Sequence, residues 1–124
     1  MKTSSKKQKG RILQDYVVKS LRSHLSSTNP SFTAERLNLG IKPAIMGESG
    51  VDVKITDMDF RELIPFDIEC KNCERWNVPE FWQQTVSNCG SSRTPLLVLK
   101  KNRSEVLCCL RFDDLLNLLR LNHD

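Results

Sequence analysis

The sequence predicts an α/β domain in which a mixed central β-sheet is flanked by helices. Three observations support this fold class. Segments 51–56 and 66–71 alternate apolar and polar residues, as half-buried strands do. Segment 96–99 is continuously apolar, which is typical of a strand that is buried on both faces. Apolar residues also recur at helical spacing near both ends of the chain, and such helices pack as layers against a sheet.

The first half of the chain predicts two helices followed by short strands. Leu13, Val17 and Leu21 recur every fourth residue, which predicts an amphipathic first helix. Gly40 stops the second helix, and Pro43 confines the next strand to a sheet edge because proline has no backbone N–H. The predicted elements of this half are a helix over 10–26, a helix over 32–39, an edge strand over 41–46 and the two alternating strands.

The two alternating strands are predicted to pair as an antiparallel hairpin with a loop over 57–63. If their apolar residues share one face, then Asp52, Glu69 and Lys71 must share the other, solvent-facing one. One register places Asp52 directly opposite Glu69, with Cβ atoms about 5 Å apart. In this arrangement Cys70 points into the core.

The second half of the chain predicts a helix, two strands and a last helix. Asn77 is suited to cap the first of these helices. Pro79 falls in the first turn of this helix, where proline is favoured, and the helix ends near Gly90. The last helix opens at Phe112 or Asp113. The strands are predicted over 96–99 and 105–111, and the buried side of the last helix is predicted to consist of Leu115, Leu116, Leu118 and Leu119.

The size and charge of the chain predict one globular domain with a basic arm. A length of 124 residues suits a single domain. The net charge is +4, and basic residues crowd the first eleven positions. Residues 1–8 are therefore predicted to form a flexible arm that binds a phosphate backbone or stays a solvated tail, and residues 9–124 to form the domain. The basic residues of this region are Lys2, Lys6, Lys7, Lys9 and Arg11.

The five cysteines are an odd number in a chain that shows no signal peptide and no membrane-spanning run. We therefore expect a cytoplasmic protein with free thiols and no membrane partner. Cys70 and Cys73 have the C-x2-C spacing of a zinc knuckle, but a structural zinc site needs four ligands and no second pair follows. A small zinc-stabilised protein is the alternative that this spacing leaves open.

Asp52 followed by Glu69-x-Lys71 is the pattern that a magnesium-dependent phosphodiester hydrolase needs. Two carboxylates hold a hard cation, which prefers oxygen ligands and keeps several waters. The lysine beside them can orient or activate the attacking water, and the backbone carbonyl of Cys70 can turn toward the metal. The other interpretation is a surface hairpin with ordinary charges, because any amphipathic hairpin carries acids and lysines on its exposed face.

Several motifs together carry a resemblance to a known family. The most specific is the strand Pro65-Phe66-Asp67-Ile68-Glu69-Cys70-Lys71-Asn72. The supporting motifs are Lys9-Gly10-Arg11 at the start of the first helix, the glycine turn 47–50 before Asp52, and segments 97–103 and 112–116. Through these motifs, from Lys9 to about Leu119, the chain resembles the PD-(D/E)XK nuclease superfamily, and in it the phage-type Holliday junction resolvase-like endonucleases. The resemblance implies a restriction-endonuclease-like core.

The resemblance also implies roles for individual residues. Asp52, Glu69 and the Cys70 carbonyl would bind Mg²⁺ or Mn²⁺, and Lys71 would assist the attacking water. Many resolvases carry a further glutamate in the first helix, and which residue takes its place here stays open. The candidate supporting residues are Gln14, Asp15, Glu48 and Gln84, and the residues expected to bind DNA are Lys6, Lys7, Lys9 and Arg11.

The function implied by the resemblance is metal-dependent cleavage of DNA, at branched structures such as Holliday junctions. Symmetric cutting of two strands implies a homodimer with one site per strand. No small-molecule cofactor is implied, and a phage-encoded enzyme would act in the host cytoplasm. The alternatives are a repair or nicking nuclease of the same fold, and a DNA-binding protein that keeps the fold without catalysis.

Overall fold

A computed structural model describes residues 3–45 and 47–121 of the protein. These residues form five helices and five strands. The helices of this part are α1 (Thr3–Thr28), α2 (Ala34–Gly40), α3 (Met58–Leu63), α4 (Val78–Ser87) and α5 (Phe112–Leu121). The strands are β1 (Ile41–Pro43), β2 (Val53–Ile55), β3 (Phe66–Asn72), β4 (Thr94–Lys100) and β5 (Leu107–Cys109). No helix within these described ranges is both long and apolar enough to cross a membrane.

The strands form a mixed arrangement. β3 and β4 are parallel and are connected through α4, as the crossover between parallel strands requires. β5 runs antiparallel to β4, and β1 and β2 form a separate antiparallel pair. Helices pack on both sides of β3, since the apolar side of α1 meets one face and α4 meets the other. The predicted fold class, a mixed sheet flanked by helices, is confirmed.

The first helix begins at Thr3, earlier than the amphipathic pattern indicates. Lys6 and Lys7 of the predicted arm therefore lie on α1, where lysine is a favourable helix residue. Lys2 lies outside the described residues, as does Met46, with which the predicted edge strand ends. That edge strand is shorter in the structure, because β1 covers only Ile41–Pro43.

The predicted hairpin between 51–56 and 66–71 is wrong. The intervening segment forms α3, because the Asp57 carboxylate accepts hydrogen bonds from the backbone N–H groups of Asp59 (3.0 Å) and Phe60 (3.3 Å) and caps the helix. The same helix buries Phe60 completely. β2 consequently pairs with β1, and it approaches β3 only at its start, where the Asp52 N–H donates to the Ile68 carbonyl (3.0 Å).

The core lies between α1, the β1–β2 pair and the inner face of β3. Leu13, Val18 and Leu25 of α1 are buried there against Ile41 and Ile68. Leu13 belongs to the apolar stripe that the sequence predicts, and Val17 and Leu21 of that stripe also pack in this core, whereas Val18 lies outside the predicted stripe. Burial of aliphatic side chains is the main stabilising contribution in such a core.

Arg93 connects the beginnings of the two parallel strands. Its side chain is buried, and it pairs with the Asp67 carboxylate at 3.2 Å. The guanidinium also donates to three backbone carbonyls, those of Arg61 (2.6 Å), Ile64 (2.6 Å) and Phe66 (3.0 Å). Because guanidinium presents several N–H donors in a rigid fork, one side chain can satisfy all of these acceptors.

The second half agrees with the prediction except in the last helix. Asn77 caps α4 as predicted, since its side chain accepts from the Glu80 N–H (3.2 Å). α5 begins at Phe112, but the leucines predicted to be buried are largely exposed, with Leu119 at 50% and Leu116 at 46% of full exposure. Amphipathic periodicity identified the apolar side of this helix, but within the described chain that side is not covered by a packing layer.

Gly40 is expected to be the glycine least tolerant of a side chain. A Cβ at this position would come within 2.6 Å of the buried Phe60 ring and 2.8 Å of the Asp57 Cβ. We expect Gly40→Ala to lower the free energy of unfolding by about 1–3 kcal/mol, the range for overpacking a core. Urea denaturation of the variant and the wild type measures this change.

Gly10→Ala is the matched control. A Cβ at Gly10 meets nothing within 4 Å, and the residue lies inside α1. Alanine should therefore stabilise the helix by up to about 1 kcal/mol. Equal stability of the Gly40→Ala variant and the wild type would contradict the close packing around Phe60.

Candidate active site

β3 carries Glu69 and Lys71 on the side that faces α4. The Glu69 carboxylate accepts a hydrogen bond from Asn88 at the end of α4, and the Lys71 ammonium lies 5.4 Å from the centre of the Phe81 ring. Glu69 is only 4% exposed, and Lys71 is half-buried. The expectation of a solvent-facing surface is therefore wrong for Glu69, because α4 covers the face of the strand that a simple hairpin would leave open.

Asp52 reaches Glu69 from the residue before β2. The Asp52 N–H bonds to the Ile68 carbonyl, and its carboxylate Oδ2 accepts the N–H of Cys70 at 2.7 Å. These two bonds fix Asp52 against the middle of β3. Asp52 lies close enough to Glu69 for its negative charge to raise the pKa of the Glu69 carboxyl. The structure thus brings the two acids together, although by another route than the predicted hairpin.

Gln14 is the supporting candidate that contacts an acid directly. Its side-chain amide on α1 donates to Asp52 Oδ1 at 3.0 Å. Both oxygens of Asp52 therefore receive one hydrogen bond from the protein, and each keeps a further lone pair for another ligand.

The other three supporting candidates lie differently. Glu48 forms an ion pair with Lys54 (2.9 Å) and accepts from the Ile45 N–H (3.1 Å), and these interactions hold the pKa of Glu48 below its usual value. Asp15 is half-buried on α1 and Gln84 is exposed on α4. Within residues 3–45 and 47–121, no side-chain hydrogen bond joins Asp15, Glu48 or Gln84 to Asp52 or Glu69.

Asn88 is a site residue that the sequence does not reveal. Its Nδ2 donates to Glu69 Oε2 at 3.1 Å, and its backbone N–H caps the end of α4 by donating to the Gln84 carbonyl at 3.0 Å. In the sequence it is an asparagine near the predicted helix end at Gly90, which indicates a cap and nothing more. The contact with Glu69 depends on how α4 packs on β3.

The proximity of the two acids dominates the electrostatics of the site. The pKa of Glu69 is raised to about 7, mainly by burial and next by the negative charge of Asp52. The hydrogen bond from Asn88 and the positive charge of Lys71 act in the opposite direction. Burial, together with the charges of both acids, also raises the pKa of the Cys70 thiol far above its usual range. This thiol therefore stays protonated and is a poor nucleophile and metal ligand.

The donor set suits a hard divalent cation. Two adjacent carboxylates that are partly or fully removed from water repel each other, and a cation between them would relieve that repulsion. Mg²⁺ and Mn²⁺ accept this kind of oxygen ligand, and Mg²⁺ commonly binds through one or two carboxylates. In the described ranges, no group of three or more His, Cys, Asp or Glu side chains comes together, so four zinc ligands do not converge there.

A cavity of about 280 Å³ opens beside Asp52, between the first half of α1 and the turn that precedes β2. Lys7 and Arg11, two of the predicted DNA-binding residues, line this cavity, and Lys6 is exposed on the same helix. Lys9 differs from them, because its Nζ is buried and finds no hydrogen-bond partner among the described residues, while its carbonyl accepts from the Asn72 side chain (2.9 Å). Positive charge therefore approaches the acid pair from α1.

Comparison with known proteins gives one match. The model of a family described as "Phage putative PDDEXK endonuclease" matches residues 5–123, which is nearly the whole chain. No curated protein and no solved structure matches this chain.

The metal-free protein is expected to lose stability as the pH rises. Glu69 has a pKa of about 7 when folded instead of 4.5, so between these values the folded state holds a proton that the unfolded state has released. The stabilisation is complete below the lower pKa and is lost as the pH rises through the higher one. Since one pKa unit is about 1.4 kcal/mol, the loss is about 3 kcal/mol.

Urea denaturation between pH 5 and pH 8 in the presence of a chelator measures this loss. Glu69→Gln removes the titrating group but keeps an acceptor for Asn88, so it should flatten the dependence. Glu62→Gln, at an exposed position on α3, is the control and should behave as the wild type does. The same slope in the Glu69→Gln variant and the wild type would show that Glu69 is not the group responsible.

Proposed function

The chain belongs to the phage PDDEXK endonuclease family, and we propose that it is a metal-dependent enzyme that hydrolyses phosphodiester bonds in DNA, with Asp52, Glu69 and Lys71 as catalytic residues. The observation that carries this proposal is that Asp52, bonded to the N–H of Cys70, lies beside Glu69 on the strand that also holds Lys71. A purely structural pair of acids would be expected to have a cationic partner in direct contact, as Asp67 has in Arg93.

Asp52 and Glu69, with the Cys70 carbonyl, would hold Mg²⁺ or Mn²⁺. When bound, such an ion polarises the scissile phosphate and lowers the pKa of the attacking water. Two carboxylates leave most of the coordination sphere to water and to the phosphate, as is usual for magnesium at phosphoryl groups. The hydrogen bonds from Gln14 and the Cys70 N–H hold the Asp52 carboxylate in one orientation beside Glu69.

Lys71 would act on the attacking oxygen or on the negative charge that develops on the phosphate. Its ammonium lies close enough to Glu69 to lower the pKa of that carboxyl, and the Phe81 ring restricts its position. A positive charge held in place before the reaction stabilises the transition state without reorganisation. No covalent intermediate with the protein is required, because water is the nucleophile.

The DNA would approach along the first half of α1. Lys7 and Arg11 line the cavity beside Asp52, and Lys6 is exposed on the same helix. Lysine and arginine beside the acids would bind the phosphates that flank the scissile one. Such contacts position the DNA backbone without reading its sequence.

We further propose that the substrate is branched DNA and that the active form is a homodimer. This part of the proposal rests on the resemblance to junction resolvases, in which two sites cut two strands. The exposed apolar side of α5, where Phe112 is 71% and Leu119 is 50% exposed, is the surface that would be covered by a second copy.

A cleavage assay tests the proposed function. The substrates are a four-way junction and a linear duplex of matched sequence, with nicked and flapped duplexes beside them, each with Mg²⁺, with Mn²⁺ and with chelator. We expect metal-dependent cutting of the junction in preference to the linear duplex. Preferential cutting of a nicked or flapped duplex would indicate a repair or nicking nuclease, and binding without any cutting would indicate a DNA-binding protein.

Asp52→Asn should abolish cleavage and leave DNA binding largely intact. Asparagine can still accept the Cys70 N–H, so the local backbone is preserved while the charge that would hold the cation is lost. Gel-shift binding in chelator and cleavage in Mg²⁺, measured on the same preparation, separate the two effects. Weaker binding combined with unchanged cleavage per bound complex would exclude Asp52 from the chemistry.

Lys71→Ala should lower the cleavage rate by about 10²–10³-fold, which is the typical loss when one transition-state donor is removed. Binding of the DNA should change little, because the side chain is half-buried against Phe81. Lys42→Ala removes the same charge from an exposed position on β1 and is the control. A wild-type single-turnover rate in Lys71→Ala would remove this lysine from the mechanism.

A further inference from the structure

We propose that Asn88 is a positioning residue for Glu69: it holds the carboxylate of this buried acid in one orientation, in which it can bind a divalent cation. The inference rests on the proposed function, because it assumes that Glu69 is a metal ligand. It adds a residue from α4 to a site otherwise built from α1, the start of β2 and β3. The direct observation is the hydrogen bond of 3.1 Å from Asn88 Nδ2 to Glu69 Oε2.

The position of Asn88 is fixed by the helix that carries it. Its backbone ends α4, with φ −86° and ψ −5°, and its N–H is bonded to the Gln84 carbonyl. One turn earlier, Thr85 is buried and its hydroxyl bonds to the Phe81 carbonyl at 2.7 Å. The Asn88 amide is therefore held against β3 by the hydrogen-bonded end of α4.

The chemistry of an amide suits this place. Glu69 is shielded from water and lies beside a second acid, so its carboxylate depends on the protein for a hydrogen-bond donor. An N–H donor stabilises the carboxylate without adding a positive charge that would repel an incoming cation. A lysine or arginine in the same place would neutralise Glu69 as Arg93 neutralises Asp67, and would occupy the space that the cation needs.

The two acids are supported in matching ways. Gln14 donates to Asp52 from α1, and Asn88 donates to Glu69 from α4, so each carboxylate receives one neutral amide from a different helix. Groups that orient metal ligands in this manner commonly affect metal affinity by about 10–100-fold when they are removed. The size of that effect makes the proposal measurable without DNA and without turnover.

The test is calorimetric titration of Mn²⁺ into the full-length protein in the absence of DNA. Asn88→Leu keeps the branched shape of the side chain but has no donor, and we expect its affinity for Mn²⁺ to fall by about 10–100-fold. Asn88→Gln keeps an amide donor and should recover part of the loss. DNA binding in chelator should be unchanged in both variants, whereas the Mg²⁺ concentration for half-maximal cleavage should rise in parallel with the loss of affinity.

Asn77→Ala is the matched control, because it removes the cap at the other end of α4 and does not touch Glu69. It should lower thermal stability and leave Mn²⁺ affinity as in the wild type. Circular dichroism checks the fold of every variant, and Asn88→Ala replaces the leucine variant if leucine is not accommodated.

The outcomes separate this inference from the proposed function. Wild-type Mn²⁺ affinity in Asn88→Leu, or an equal loss in Asn77→Ala, would overturn the positioning role while metal-dependent cleavage by the wild type still supported the function. Equal losses in Asn88→Gln and Asn88→Leu would assign the effect to shape and would also overturn it. If the wild-type protein binds no Mn²⁺ and cuts no DNA, both proposals fall together.

Discussion

The repulsion between two neighbouring carboxylates is the interaction on which the rest of this structure depends. Glu69 is almost completely buried, and Asp52 is fixed beside it by the N–H of Cys70. Burial and like charge both disfavour ionisation, so the arrangement is unfavourable for the metal-free protein. Neutral donors from Gln14 and Asn88 reduce this cost without removing it. The pair of acids therefore lowers the stability of the metal-free protein, and a cation bound between them would remove that cost.

The burial of Glu69 follows from the layers around β3. α1 covers one face through its apolar stripe, and α4 covers the other because the parallel pairing of β3 and β4 requires a crossover between them. On its remaining edge, the strand is hydrogen-bonded to Asp52, the residue before β2. This strand carries the acid and the lysine, and the helix that covers this side of it supplies the Asn88 amide to Glu69.

Sequence patterns predicted the fold class, the strand around Glu69 and the cap at Asn77, because each depends on local periodicity or on a single turn of helix. The hairpin failed since alternation in two segments does not say which strands are neighbours, and Asp57 with Phe60 made the connection a capped helix. Asn88 was not predictable, because its partner lies nineteen positions earlier and meets it only after α4 has packed on the sheet. For the last helix, periodicity identified the apolar side correctly, but the described part of the chain does not bury that side.

Arg93 helps to fix the register of β3, the strand that carries Glu69 and Lys71. By binding Asp67 together with the carbonyls of Arg61, Ile64 and Phe66, it fastens the beginning of β3 to the beginning of β4. A slip of one residue in a strand exchanges its two sides, so Cys70 would then stand where Glu69 stands now. The strand would keep its apolar residues, but a thiol would take the place of the carboxylate at the site. A guanidinium bound to Asp67, two positions before Glu69, thus helps to decide which chemical group the strand presents at the site.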